Sequence, residues 1–299
     1  NGRNNSVFGL GLGGGIGGQS PYPPMHKVLA PSFSRNTFIF WISVIQVIVF
    51  IGELIVGQVV CGAAFCQQND LGGPSCYAMK LMGAKYTTCI QNGEIYRFIT
   101  PALLHAGILH IFTNLVSQTM IGYQCEYNWG FWRMACFYIV TAFGATLLST
   151  VGQPNSISVG ASGALLGIIG CYISWILLNW NNHDLLPQPC PRLCIMIWWL
   201  VIIFMIGLGM SNIDNFAHLG GLITGILIGF AFNTYTDPLT FLSGPTGQRI
   251  KVVRIIFIIL SIAYFASLLL SIYFAIDVQN GGSCGQTCWD YVVQSPSEC

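Results

Sequence analysis

Three short clusters of polar residues interrupt otherwise apolar stretches of this chain, and their residue types suit acyl transfer. The first is Gly160-Ala161-Ser162-Gly163. A serine among small residues at the start of a helix is open to a substrate backbone, and the amides there can donate to a developing oxyanion. The same four residues would equally make a tight packing surface, because small side chains let membrane helices approach closely. The stretch is not the nucleophile elbow of soluble hydrolases, since Ala164 stands where that motif has its second glycine and no strand precedes it. The second cluster is Asn215-Phe216-Ala217-His218-Leu219-Gly220-Gly221. A neutral imidazole at His218 is what a serine needs as general base. A lone histidine in a span could instead relay protons or line a pore. Ala217, Gly221, Gly225 and Gly229 recur every four residues, and Gly163 and Gly167 offer a matching stripe. Packing one stripe on the other would bring Ser162 and His218 within reach.

The third cluster is His105, His110 and Asn114. His110 and Asn114 are one helical turn apart and so share a face. Two neutral donors on one face suit an oxyanion hole. On a continuous helix His105 would lie about 140° round from His110, which gives it a different job. Paired histidines are also a metal-ligand pattern, but no third ligand follows at fixed spacing, and neither a metal nor a cofactor is expected. Cys190 and Cys194 likewise lack a second pair nearby.

The elements that must position these groups are membrane helices. Of the 299 residues 54% are hydrophobic and only 7% charged, against roughly 25% charged in an average soluble domain. A soluble fold of this size could not cover its surface with so few charges. A net charge of +1 without a run of Lys or Arg excludes a nucleic-acid partner. Seven apolar stretches, at 37–60, 99–122, 132–151, 159–180, 194–210, 215–235 and 252–277, are near or above the length of a spanning helix. The fold class expected is an all-α membrane bundle, multi-pass, with the lipid bilayer as its solvent. Residues 1–36, rich in glycine and proline, read as a disordered tail. The core occupies 37–235, including a large first loop at 61–98, with a linker and seventh span at 236–277 and a cysteine-containing tail at 278–299. The distribution of Lys and Arg puts the N-terminus in the cytosol and, after an odd number of spans, the C-terminus outside. Cys61, Cys66, Cys76 and Cys89 in the first loop, and Cys284, Cys288 and Cys299 in the tail, are then external, where disulfides are allowed. Glu53, the acid deep in the first span, reads as an external-facing or packing residue.

In order and together, His105-(x)4-His110-(x)3-Asn114, Gly160-Ala161-Ser162-Gly163 and Ala217-His218-(x)-Gly220-Gly221 resemble the rhomboid intramembrane serine proteases, over about residues 94–230. The resemblance implies a six-helix core plus a seventh helix, and a Ser–His dyad without an acid: Ser162 as nucleophile, His218 as base. It implies oxyanion donors at His110, Asn114 and the Ser162 amide, with His105, Arg97, Gly160 and Gly163 in support. Arg97, preceded by Tyr96, falls where the family has a Trp-Arg pair in the first loop, and Glu126 and Arg133 match residues flanking a turn. Leu166 replaces the tyrosine that many relatives carry one turn after the serine. The seventh span is similar to the eukaryotic secretory-pathway type, in plasma or Golgi-type membranes. Implied substrates are single-span proteins cut near the external boundary, entering beside spans two and five past Trp198, Trp199 and Phe204. The alternatives are a non-catalytic relative that binds membrane clients, although such proteins commonly lose the serine or histidine, and a channel or transporter, which should show internal repeats or a charged path.

Overall fold

The computed structural model describes residues 34–276 apart from 68, 70, 184, 185, 187, 210–212 and 234–245. The expectations for the tail before residue 34, for most of the linker and for the tail cysteines lie outside these residues.

Among the described residues the chain folds into helices and loops, with one isolated antiparallel bridge between Lys85 and Ser158. In chain order the helices are α1 Phe38–Cys61, α2 Cys76–Leu81, α3 Thr87–Gln91, α4 Ile108–Ser117, α5 Tyr123–Trp129, α6 Phe131–Gly152, α7 Ser162–Leu178, α8 Pro189–Gly209, α9 Asn215–Phe232 and α10 Thr246–Leu270. Four are long and apolar enough to cross a membrane: α1, α6, α9 and the stretch Ile250–Ala275. The shorter apolar helices are Ser162–Leu178 and Pro189–Met205. The protein is a multi-pass integral membrane protein of the all-α class that composition requires.

Local chemistry sets the ends of α1. Thr37, in extended backbone, accepts the Phe40 amide at 3.3 Å, and Gly62 ends the helix in left-handed conformation at φ 73°. Glu126 completes the start by accepting the Phe38 and Ile39 amides at 2.6 and 3.0 Å. A carboxylate here meets orphan amides and the positive end of the helix dipole.

The second apolar stretch corrects one expectation. It is not a continuous helix from residue 99. Thr100–Leu103 is a 3-10 turn, residues 104–107 form a loop, and α4 begins at Ile108, running through a π turn at Gln118–Gly122 into α5. His105 therefore lies off the helix, and the 140° offset does not describe it. The loop is held from elsewhere: the Glu53 carboxylate accepts the His105 amide at 3.1 Å, and Asn69 donates to the Ala106 carbonyl at 2.6 Å. Glu53 is thus a fully buried packing residue.

At the centre α7 is buried on nearly every side, against α6 and α9. The small residues explain how closely. A Cβ on Gly221 would overlap the Gly163 carbonyl oxygen, and one on Gly225 would overlap that of Gly167. Gly163 faces the Ala217 carbonyl, where an added Cβ would stand 3.2 Å away. Backbone therefore meets backbone along two turns of both helices, which the four-residue repeat of small residues permits. Thr141 Oγ1 on α6 donates to the Ala164 carbonyl at 3.2 Å and secures the third side.

Candidate active site

The glycine contact places the N-terminal ends of α7 and α9 side by side. Ser162 is the first residue of α7 and His218 lies in the first turn of α9. Ser162 Oγ stands 2.8 Å from His218 Nε2. The imidazole is nearly buried, and Nδ1 has no hydrogen-bond partner among the described residues. With Nε2 facing the hydroxyl as acceptor, the ring proton belongs on Nδ1, the tautomer a general base requires.

What holds the ring was only partly visible in the sequence. Phe204 on α8 meets it edge-to-face, with centroids 6.4 Å apart. Leu166, one turn after Ser162, is buried. Asp214 caps α9: its carboxylate accepts the Ala217 amide at 2.9 Å and the Ser149 hydroxyl from the end of α6. An acid just before a helical run is a readable N-cap signal, and sequence reasoning overlooked it. Asn215, beside it, donates to the Gly207 carbonyl at 2.9 Å and ties α9 to the end of α8. Of the aromatics expected at a gate, Phe204 thus faces the site, while Trp198 and Trp199 are exposed.

The donors converge on Gly160. His110 Nδ1 accepts the Ala106 amide at 3.2 Å, which leaves the ring proton on Nε2. That nitrogen would be 2.8 Å from a Cβ on Gly160, and Asn114 Nδ2 would be 3.8 Å from the same point. Asn114 gives one amide hydrogen to the His110 carbonyl at 3.1 Å and keeps the other. Gly160 has φ +123°, its amide bound to the Pro101 carbonyl at 2.8 Å. The absence of a side chain opens the space that His110 and Asn114 face. The Ser162 amide lies two residues further on, at the N-terminal end of α7, where a helix leaves its first amides without an intrahelical partner. His105 packs edgewise on His110 with centroids 5.4 Å apart.

Arg97 is not at this surface. Its buried guanidinium donates to the Lys80 and Ala84 carbonyls, each at 2.7 Å, and pairs with Glu94 at 2.6 Å. It organises the first loop. Desolvation raises the Glu94 carboxyl, but hydrogen bonds from Tyr96 and Arg97, with the charges of Arg97 and Lys80, together outweigh it and hold the group below the usual carboxylate range. Cys61, the last residue of α1, is unbridged, with Sγ 3.0 Å from Ser75 Oγ in the first loop. Among the described residues no cluster of His, Cys, Asp and Glu has the makings of a metal site.

A model of the Rhomboid domain matches residues 92–235, which include every residue of the Gly160 surface and the Ser–His pair. Residues 92–235 thus carry a rhomboid domain. The chain is 39% identical over 168 residues to RHOMBOID-like protein 6, mitochondrial, of Arabidopsis thaliana, covering 55% of this chain and 52% of that protein. It is 37% identical over 167 residues to RHOMBOID-like protein 1 of the same plant, covering 56% and 42%. Rhomboid-type serine protease 2 of Emericella nidulans is 28% identical over 272 residues, covering 71% and 53%. The chain spans about half the length of these curated relatives.

Proposed function

We propose that this rhomboid-domain chain is an intramembrane serine endopeptidase that cuts transmembrane proteins through an acyl-enzyme. The observation that carries this is the 2.8 Å separation of Ser162 Oγ and His218 Nε2, with His110 and Asn114 beside Gly160 two residues before the serine. In the reaction Ser162 attacks the scissile carbonyl while His218 accepts its proton. The carbonyl oxygen, now an oxyanion, rests against His110 Nε2–H, the second Asn114 amide hydrogen and the Ser162 amide. His218 returns the proton to the leaving amine, and water then releases the acyl group by the same steps in reverse roles. Backbone amides of a membrane helix are already paired, so the substrate must unwind locally before its peptide bond can be reached. Substrates are accordingly single-span proteins with helix-destabilising residues near the membrane boundary.

The cations divide by end of the bundle. Lys80, Lys85 and Arg97 belong to the first loop at the Ser162 end, while Arg35 before α1, Arg133 in α6, Arg192 in α8, and Arg249, Lys251 and Arg254 at the start of α10 lie at the opposite end. By the excess of positive charge the Ser162 end faces outside or the lumen and the N-terminus the cytosol, and the resemblance of the seventh span to the secretory-pathway type implies plasma or secretory-pathway membranes. The test is co-expression with tagged single-span proteins. Ser162→Ala should abolish cleavage of a substrate cut by the native chain, and a fluorophosphonate should label the native chain alone. Cleavage that persists in Ser162→Ala with equal rate would refute the nucleophile.

A further inference from the structure

Lys85 is fully buried although it belongs to a loop. Its ammonium donates to the Gln153 carbonyl at 2.6 Å, the Ser156 carbonyl at 3.0 Å and the Ser156 hydroxyl at 3.3 Å. Its backbone pairs with Ser158 in both directions, Lys85 N–H to Ser158 O at 3.0 Å and Ser158 N–H to Lys85 O at 3.3 Å. One residue therefore grips the segment 153–158 by three carbonyls and a hydroxyl. Gly160 follows two residues later and Ser162 four. The grip is anchored on its other side, because Arg97 holds the carbonyl of the adjacent Ala84 at 2.7 Å.

A buried ammonium is costly, and an apolar side chain would fill the same volume without that cost. What the charge supplies is several directed donors to a segment that is otherwise held together by one turn, in which the Ser156 amide and hydroxyl donate to the Gln153 carbonyl at 3.2 and 3.1 Å. The charged group that faces Lys85 is Asp214, which caps the helix of His218. The segment 153–158 and the end of α6 contribute no titratable side chain.

We propose that Lys85 is a positioning residue for acyl transfer: it fastens residues 153–158 to the first loop and so fixes where Gly160 and Ser162 stand relative to His218. This rests on the Ser162–His218 reading given above. It predicts a specific pH dependence. Burial pulls the Lys85 ammonium from its ordinary 10.5 down to about 8, with Asp214 opposing the shift. Above that pH the amine loses one donor and its charge, and the segment loosens. Turnover should therefore fall as pH rises through about 8. Stability runs the other way. Between the folded value and 10.5 the unfolded chain holds the extra proton, so raising the pH favours the folded state. Loss of turnover on that limb is then not loss of fold.

The experiment measures kcat and KM of the detergent-purified full chain on a single-span substrate across this pH range, with thermal unfolding and fluorophosphonate labelling in parallel. Lys85→Met should lower kcat by about tenfold or more with KM within about twofold, and should lack the alkaline limb. Lys85→Arg, which keeps a charge that does not titrate, should retain part of kcat and also lack the limb. A folded Lys85→Met with native kcat would overturn the role. So would a native profile without a fall between about pH 8 and 10.5, or a limb that persists unchanged in Lys85→Arg, and these two decide the matter if Lys85→Met does not fold. A native chain that neither cleaves nor labels at Ser162 would sink the protease reading and this inference together. A native chain that cleaves while a folded Lys85→Met cleaves with the same kcat would sink the positioning role alone.

Discussion

At the scale of single residues, Gly160 is the position where one methyl group would matter most. Its φ of +123° is strained for any side chain, a cost of about 1–3 kcal/mol. Its missing Cβ is also what leaves room before His110, since that atom would stand 2.7 Å from the ring's Cε1. The His110 ring cannot retreat freely, because Nδ1 is held by the Ala106 amide and the ring edge packs on His105. Gly160→Ala should therefore displace the donors rather than the nucleophile. The expected result is a fall in kcat of about 10²–10³-fold, the size seen when one oxyanion donor is removed. Single-turnover cleavage measures it directly, and turnover within a few-fold of native would place the oxyanion elsewhere. The histidine side of the pair depends on different supports. No carboxylate reaches His218 Nδ1 among the described residues, so the ring's direction comes from Phe204 and from the helix that Asp214 caps.

At the scale of elements, the decisive feature is the contact of α7 with α9. Gly221 and Gly225 pack directly on the carbonyls of Gly163 and Gly167, so Gly225→Leu must push the helices apart. Overpacking of this kind costs about 1–3 kcal/mol, and the separation should also lengthen the Ser162–His218 hydrogen bond. The variant should melt several degrees lower in detergent and lose fluorophosphonate labelling even where it remains folded. Native labelling in a folded Gly225→Leu would mean that the stripe does not set the distance. This contact was legible in the sequence, because small residues repeated every four positions on two apolar runs have one physical use. The start of the second span was not. Pro101 reads as the first turn of a helix, and nothing local announces that Glu53 and Asn69 hold the backbone of His105 and Ala106 in a loop. Lys85 was invisible for a similar reason. A lysine in a polar loop reads as solvated, and its burial depends on the segment before Ser162, some seventy residues away.

At the scale of the whole molecule, α10, the helix of the seventh apolar stretch and so the seventh helix across the membrane, is joined to the first loop. Ile90 and Phe98 of that loop share an apolar cluster with Leu147 of α6 and with Leu268 and Ile272 at the end of the seventh helix. Gln91 adds direction. Its side-chain amide donates to the Ile272 carbonyl at 2.7 Å and to the Ile276 carbonyl at 2.9 Å. Both carbonyls lie at the π turn Ser271–Ala275 or just beyond it, where the helix ends and its own amides no longer reach. The seventh helix thus ends on the same side as Ser162, and it braces the loop whose Lys85 grips the segment before the serine. Gln91→Leu would keep the volume and remove both donors, leaving two carbonyls without that partner, a loss of about 1–3 kcal/mol for buried groups. Thermal unfolding should shift down accordingly, and limited proteolysis should cut the first loop sooner than in the native chain. Turnover should fall less than in Lys85→Met, because the brace acts on the loop as a whole and not on the segment that carries Gly160. Unchanged melting together with unchanged proteolysis would show that the seventh helix covers the loop without holding it, and its contribution would then be confined to the apolar cluster.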